Sequence, residues 1–274
     1  MSLKKQQPIG IFDSGIGGLT VANAFSSALP KEQILYFGDT AHLPYGDKSA
    51  EAVLGYSIRI AHLLMEMKCK LVVIACNTAS SVAYGPLMIA HHNEVGMFNV
   101  IDPLVAGVAA QKEVKRIGVI GTKGTIASGM YERKLKMALP DVEVVSMATP
   151  LLVPMIEEGF AKKQISIELI REYLDDSRLQ DIDTLILACT HYPLIRNQIE
   201  AFYDGRVKVF DSTDFTVEAV RHHLNQLNLL NDGQRDEHHF FVSDFTESFE
   251  QTTRLFYGER IHLEHLNIWE NEQK

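Results

Sequence analysis

Two short segments restrict the fold more than anything else in this chain: LVVIA at 71–75 and LILA at 185–188, each apolar at every position. A strand with one wet face alternates apolar and polar residues, whereas a strand buried on both faces does not. These two therefore belong inside parallel sheets covered by helices. Around them, short apolar runs alternate with longer amphipathic stretches. The pattern predicts strands at 9–12, 34–37, 71–75, 98–101, 116–120, 142–146, 184–188 and 207–210, with helical periodicity over 49–67, 80–91, 124–138 and 166–176. Strand, helix, strand at this spacing implies crossover units, and so an α/β fold of mostly parallel sheets flanked by helices. The last stretch, 232–274, predicts a strand at 238–242, a helix near 246–256 and a polar tail.

The two segments also echo one another. Residues 71–78 read LVVIACNT and residues 185–192 read LILACTHY, each a buried strand ending in Ala-Cys and a small polar residue. A looser echo links IGIFDSG at 9–15, NVIDP at 99–103 and VKVFDST at 207–213. Together they predict two similar α/β lobes. One lobe is expected from 1–99 plus 208–274, carrying Cys76, and the other from 100–207, carrying Cys189. At 274 residues, near the length where a single core stops growing, two smaller cores are expected rather than one.

Composition removes several classes of partner. The formal net charge is -9, and the most basic stretch, 112–116, itself contains an acid, so neither nucleic acid nor an anionic membrane is expected. No apolar run approaches the roughly 20 residues that span a bilayer. The first residues, MSLKKQQPIGIF, run into a strand without the separate apolar region of a signal peptide. Cys69, Cys76 and Cys189 are too few and scattered for a disulfide framework and suit a reducing, cytoplasmic compartment.

In parallel α/β sheets, ligands bind at the carboxyl ends of strands, beside helix N-termini that present free N–H groups. Both Ala-Cys turns occupy that position. A cysteine ending an apolar run is usually a small core residue, and Cys69, between lysines, reads that way. The same motif at two equivalent strand ends points instead to a reactive pair. A free thiol, with a pKa of about 8.5, has that pKa lowered there by N–H groups and the helix dipole, so more of it is thiolate at neutral pH. The loop Asp13-Ser14-Gly15-Ile16-Gly17-Gly18 lacks the lysine of a P-loop and the spacing of a dinucleotide loop. Its aspartate suits an ammonium group, with Ser14 and loop N–H groups for polar ligand atoms; the plainer alternative is a tight turn with Asp13 capping the next helix.

Asp39 opens a further strand-end segment in which Pro44, Tyr45 and Gly46 form a turn that can present backbone N–H groups to the same site. Thr122 and Thr125 can equally bind a carboxylate or cap a helix. His191, two residues after Cys189, suits a proton relay, with Asp13 its counterpart beside Cys76. No Cys-x-x-Cys or His-x-x-x-His accompanies the cysteines, so no metal site is expected. The pairs at 91–92, 222–223 and 238–239 read as surface or strand histidines.

Five segments in order, IGIFDSGIGGLTV, the D-x-x-x-x-PYG stretch, ACNTAS, GVIGTKGT and LACTHYPL, resemble the glutamate racemases of the aspartate/glutamate racemase superfamily over nearly the whole chain. The resemblance implies two pseudosymmetric lobes with the active site in the cleft between them, interconversion of L- and D-glutamate without pyridoxal phosphate or metal, and D-glutamate supply for peptidoglycan. It implies Cys76 and Cys189 as the catalytic thiols, Asp13 and His191 as their supports, and Glu157 in LLVPMIEEG and Asp39 as further support. Substrate-binding positions would be Ser14, Pro44, Tyr45, Gly46, Asn77, Thr78, Thr122, Thr125, Thr190 and His191, besides Asp13. A homodimer is also implied. So is an assignment of Cys76, with Asp13, to D-glutamate and Cys189, with His191, to L-glutamate.

Racemisation explains the need for two thiols. One base on one face tends to return the proton where it found it, whereas a thiolate and a thiol on opposite faces invert the centre and exchange roles in reverse. Three other readings stand beside this one: an aspartate racemase of the same superfamily, a non-catalytic amino-acid-binding protein, and a thiol redox protein. The second leaves the repeated cysteines unexplained, and the third lacks a paired cysteine motif.

Overall fold

The computed structural model describes residues 2–91 and 95–269. His92 and the last five residues of the polar tail lie outside them. Ten strands form two sheets: β1 (Ile9–Asp13), β2 (Ile34–Gly38), β3 (Leu71–Ile74), β4 (Gly96–Asn99), β5 (Arg116–Gly121), β6 (Glu143–Ala148), β7 (Thr184–Ala188), β8 (Lys208–Asp211), β9 (His239–Val242) and β10 (Glu264–His265). The first sheet runs β10-β9-β2-β1-β3-β4 and the second β6-β5-β7-β8. Every pairing among the described residues is parallel. The order β2-β1-β3-β4 in the first sheet is therefore repeated as β6-β5-β7-β8 in the second.

The fully apolar segments sit centrally. All four residues of β3 and all five of β7 are buried, each large side chain contributing about 1.5–3 kcal/mol by leaving water. Helices cover the faces. Leu19–Ala28 packs against Thr213–Gln226 and Glu247–Tyr257, and Ala50–Glu66 against Asn77–His91. Ser49 caps Ala50–Glu66 by accepting the Ala52 N–H at 3.2 Å, which fixes that helix start.

Four expectations shift. The strand placed at 98–101 lies at Gly96–Asn99, because the Asn99 side-chain oxygen accepts the N–H groups of Ile101 and Asp102, both at 2.8 Å, and starts the helix Ile101–Ala109. The periodic stretch 124–138 is two helices, Lys123–Ala127 and Met130–Ala138. The return of the chain expected at 207 comes one strand later: Lys208–Asp211 pairs with β7 and extends the second sheet, and the chain crosses back to the first beyond Asp211. Nor are there two separate cores. One apolar cluster runs through both sheets, joining Ile11 and Leu71 to Leu187 and Tyr192, with a satellite on the outer side of each sheet.

Candidate active site

Cys76 follows β3 and Cys189 follows β7, the corresponding strands of the two repeated orders. Both cysteines line one cavity of about 30 Å³, room for a water or two. Its wall includes Ser14, Pro44, Tyr45, Gly46, Asn77, Thr78, Thr122, Glu157, Thr190 and His191. Sequence reasoning did not single out Gly15, Leu43, Val153 and Ala188, which complete it; apolar or small residues carry no chemical signal of their own. A second cavity of about 220 Å³ adjoins it, sharing Leu43, Pro44, Gly46, Thr122, Val153 and Glu157. A molecule the size of an amino acid fits between the thiols only if these walls part.

Asp13, Asp39 and Thr125 lie behind the wall rather than in it. The Asp13 carboxylate is fully buried, and its Oδ2 accepts the N–H groups of Gly15 at 3.2 Å and Gly18 at 3.0 Å. That is the expected turn, since Gly18 precedes the helix Leu19–Ala28. The other oxygen, Oδ1, is buried with no hydrogen-bond partner. Asp39 accepts the Tyr45 hydroxyl at 2.7 Å and so anchors the wall from outside. The Thr122 side chain accepts the Thr125 N–H at 3.2 Å, capping Lys123–Ala127. The same two hydroxyls also meet the Thr78 hydroxyl at 2.9 and 3.1 Å. Capping and a polar ligand surface, alternatives in the sequence, thus coexist in a triangle that spans the two sheets.

Gly46 permits this approach, because a Cβ there would lie 2.7 Å from the Thr122 Cβ. Asn77 presents a second unmet group. Its Oδ1 accepts the Tyr131 hydroxyl at 2.6 Å, while its Nδ2 is buried without an acceptor. Buried polar atoms normally find partners, so one unmet acceptor and one unmet donor stand out around Cys76.

The two thiols have opposite surroundings. Cys76 Sγ lies 3.8 Å from the Ser14 hydroxyl and 3.4 Å from the Ala79 N–H. Burial and the nearby Asp13 charge push its thiol up to about 12, against the Ala79 N–H and the contact with Ser14. Burial likewise raises Asp13, opposed by His191 and the loop N–H groups. Cys189 Sγ lies 3.7 Å from His191 Nδ1, and His191 Nε2 lies 2.9 Å from Glu157 Oε1. Burial opposes a charge on His191, but Cys189 and Glu157 outweigh it and hold the imidazole up to about 10. One thiol thus stands beside a carboxylate, and the other beside an imidazole whose charged form is favoured.

Residues 20–220 match the Asp/Glu/hydantoin racemase family. The chain is similar to the glutamate racemase of Geobacter metallireducens, 42% identical over 254 residues that cover 92% of this chain and 93% of that protein. The crystal structure of the Francisella tularensis glutamate racemase in complex with D-glutamate is 35% identical, with a TM-score of 0.89 over 96% of this chain and 98% of that one. The aspartate racemase of Picrophilus torridus, 17% identical with a TM-score of 0.56 over 82% of this chain and 99% of that one, shares the fold alone.

Proposed function

The chain belongs to the glutamate racemases within the Asp/Glu/hydantoin racemase family, and on that footing we propose that it interconverts L- and D-glutamate by passing protons through Cys76 and Cys189. The proposal rests on one observation: thiols at corresponding turns of two like-ordered sheets line a single cavity. In the L-to-D direction, the Cys189 thiolate, paired with His191, takes the α-proton from one face of the substrate. The Cys76 thiol, kept protonated beside Asp13, delivers its proton to the other face. Cys189 then holds a thiol and Cys76 a thiolate, the starting state for the reverse reaction.

Proton transfer of this kind contributes about 3–5 kcal/mol, whereas enzymes typically lower barriers by roughly 8–23 kcal/mol. The remainder is assigned to donors that meet charge growing on the α-carboxylate: Asn77 Nδ2, the Thr78 and Thr122 hydroxyls, and loop N–H groups, in a closed, dry cavity. Asp13 Oδ1, an unmet acceptor behind the wall, meets the substrate ammonium only once the wall parts. We take the two sheets with their helices as two lobes that part to admit substrate, divided near 100 and after Asp211. The enzyme is further assigned as a cytoplasmic homodimer supplying D-glutamate to peptidoglycan, using neither metal nor pyridoxal phosphate. Among the described residues no helix is long and apolar enough to cross a membrane.

The test is incubation with L-glutamate in D₂O, with L-aspartate in parallel, following D-isomer and α-deuterium together. Deuterium-labelled D-glutamate is expected from the first, unchanged by EDTA or a carbonyl reagent. Folded protein that yields neither product nor exchange sinks the racemase reading, and faster turnover of aspartate reassigns the substrate.

A further inference from the structure

Asp39 does not reach the cavity, yet it gathers more hydrogen bonds than any other carboxylate near it. Fully buried, it accepts from the Tyr45 hydroxyl at 2.7 Å and the Ser243 hydroxyl at 2.7 Å, and it meets His42 Nδ1 at 3.0 Å. The fourth partner comes from the far end of the chain: Trp269 Nε1 donates to Asp39 Oδ1 at 3.0 Å. The segment that delivers it is pinned to the first sheet, since β10 pairs with β9 and the Leu266 N–H donates to the Val242 carbonyl at 2.9 Å.

The indole also closes an aromatic cluster that ends on the same wall residue. Trp269 lies edge-on to His42 at 4.6 Å and to Tyr56 at 5.4 Å, Arg59 stands 5.0 Å over its ring, and Tyr56 contacts Tyr45 at 5.6 Å. Tyr45 is thus held twice from Trp269, by hydrogen bonds through Asp39 and by ring contacts through Tyr56. Apart from Tyr45, these residues are absent from the cavity wall.

We propose that Trp269 is a positioning residue of the active site, fixing the Tyr45 end of the Pro44-Tyr45-Gly46 wall through Asp39 so that the C-terminal segment sets how tightly glutamate is held. This rests on the glutamate racemase reading. Phenylalanine at 269 keeps a ring but loses the N–H donor to a buried carboxylate, a bond of the stronger class. If the fully formed wall then falls to about a tenth of molecules, apparent affinity falls about tenfold while bound substrate reacts at its former rate.

The test has two parts. Trp269 is the only tryptophan in the chain, so its emission reports on this segment directly. Titration of the wild-type protein with D-glutamate should change that emission, with half-saturation near KM. Kinetics of Trp269→Phe should show KM raised about tenfold in both directions with kcat within about twofold, and the double variant with Tyr45→Phe should be little worse than Tyr45→Phe alone. A silent emission, an unchanged KM, a fall in kcat at constant KM (loss of folded enzyme only), or fully additive effects would each overturn the proposal. Wild-type protein inactive on glutamate in the same assay defeats the functional reading instead, whereas active wild type with an unaffected variant defeats this inference alone.

Discussion

Gly17 and His191 touch across the two sheets so closely that a Cβ at position 17 would lie 2.2 Å from the imidazole Cε1 and 2.5 Å from Nδ1. The neighbouring Thr20 hydroxyl donates to the Thr190 carbonyl at 3.1 Å, holding the same turn. The glycine-rich loop is therefore a seat for the imidazole that serves Cys189. Gly17→Ala must push His191 aside, and a displacement near 1 Å at a catalytic group costs about 100-fold in rate. Steady-state kinetics should show kcat/KM down by at least that order. Near-native turnover would mean the imidazole yields without consequence.

Cys76→Ser and Cys189→Ser should each abolish racemisation of both enantiomers. A hydroxyl is too weak an acid and base for either half of the transfer, and both positions are buried small side chains where serine fits. Polarimetry from each enantiomer, with a thermal melt of each variant, separates chemistry from folding. Either variant retaining near-native turnover would dismantle the two-base scheme.

The His191 imidazole is held up to about 10, above its ordinary 6.5, by Cys189 and Glu157 against the cost of burial. A raised pKa means that the charged pair stabilises the fold fully below about 6.5 and loses that contribution as pH rises through about 10. Turnover should decline over the same alkaline range. Glu157→Gln removes one partner that raises the pKa, so its kcat/KM profile should begin to fall at lower pH. Superimposable profiles would separate Glu157 from this titration.

Tyr131 donates to Asn77 Oδ1 at 2.6 Å and so fixes which end of the amide is left for a ligand. Tyr131→Phe frees the amide to turn, at the cost of one buried hydrogen bond. We expect kcat/KM to fall about tenfold with less than about 2 kcal/mol lost in urea unfolding. Unchanged kinetics would show that Asn77 is held in place by other contacts.

At the opposite end of the first sheet, Lys70 and Glu32 form a buried ion pair at 2.5 Å, and Glu32 also accepts the Asn231 N–H at 2.8 Å. Lys70→Met leaves the carboxylate buried without its counter-charge, a loss of about 3–5 kcal/mol. Urea unfolding should register it, with Glu32→Gln added to Lys70→Met restoring part, while kcat at permissive temperature stays unchanged.

Much of this was legible because the strands are apolar along their length and because the Ala-Cys turn occurs twice. Both thiols, the turn carrying Asp13 and the wall at Pro44-Tyr45-Gly46 follow from position at strand ends. Glu157 had no local signal, since its partner His191 is 34 residues away, and only the family resemblance suggested it. Asp39 was expected only as a support, and what it supports was not legible, because its partners Ser243 and Trp269 arrive from more than 200 positions later and make it an anchor. β8 was assigned to the wrong side because VKVFDST resembles IGIFDSG locally, whereas its hydrogen bonds run to β7. Short-range pattern identifies a strand; it does not choose the sheet.

The repeated strand order has a consequence for stereochemistry. The two enantiomers of glutamate are mirror images, but a chain of L-residues cannot build the mirror image of its own binding site. What it can do is use one topology twice, β2-β1-β3-β4 and β6-β5-β7-β8, and turn the two copies toward a common substrate. The copies differ where handedness demands it, with a carboxylate beside one sulfur and an imidazole beside the other. Repetition of one strand order thus substitutes for a reflection that protein chemistry does not allow.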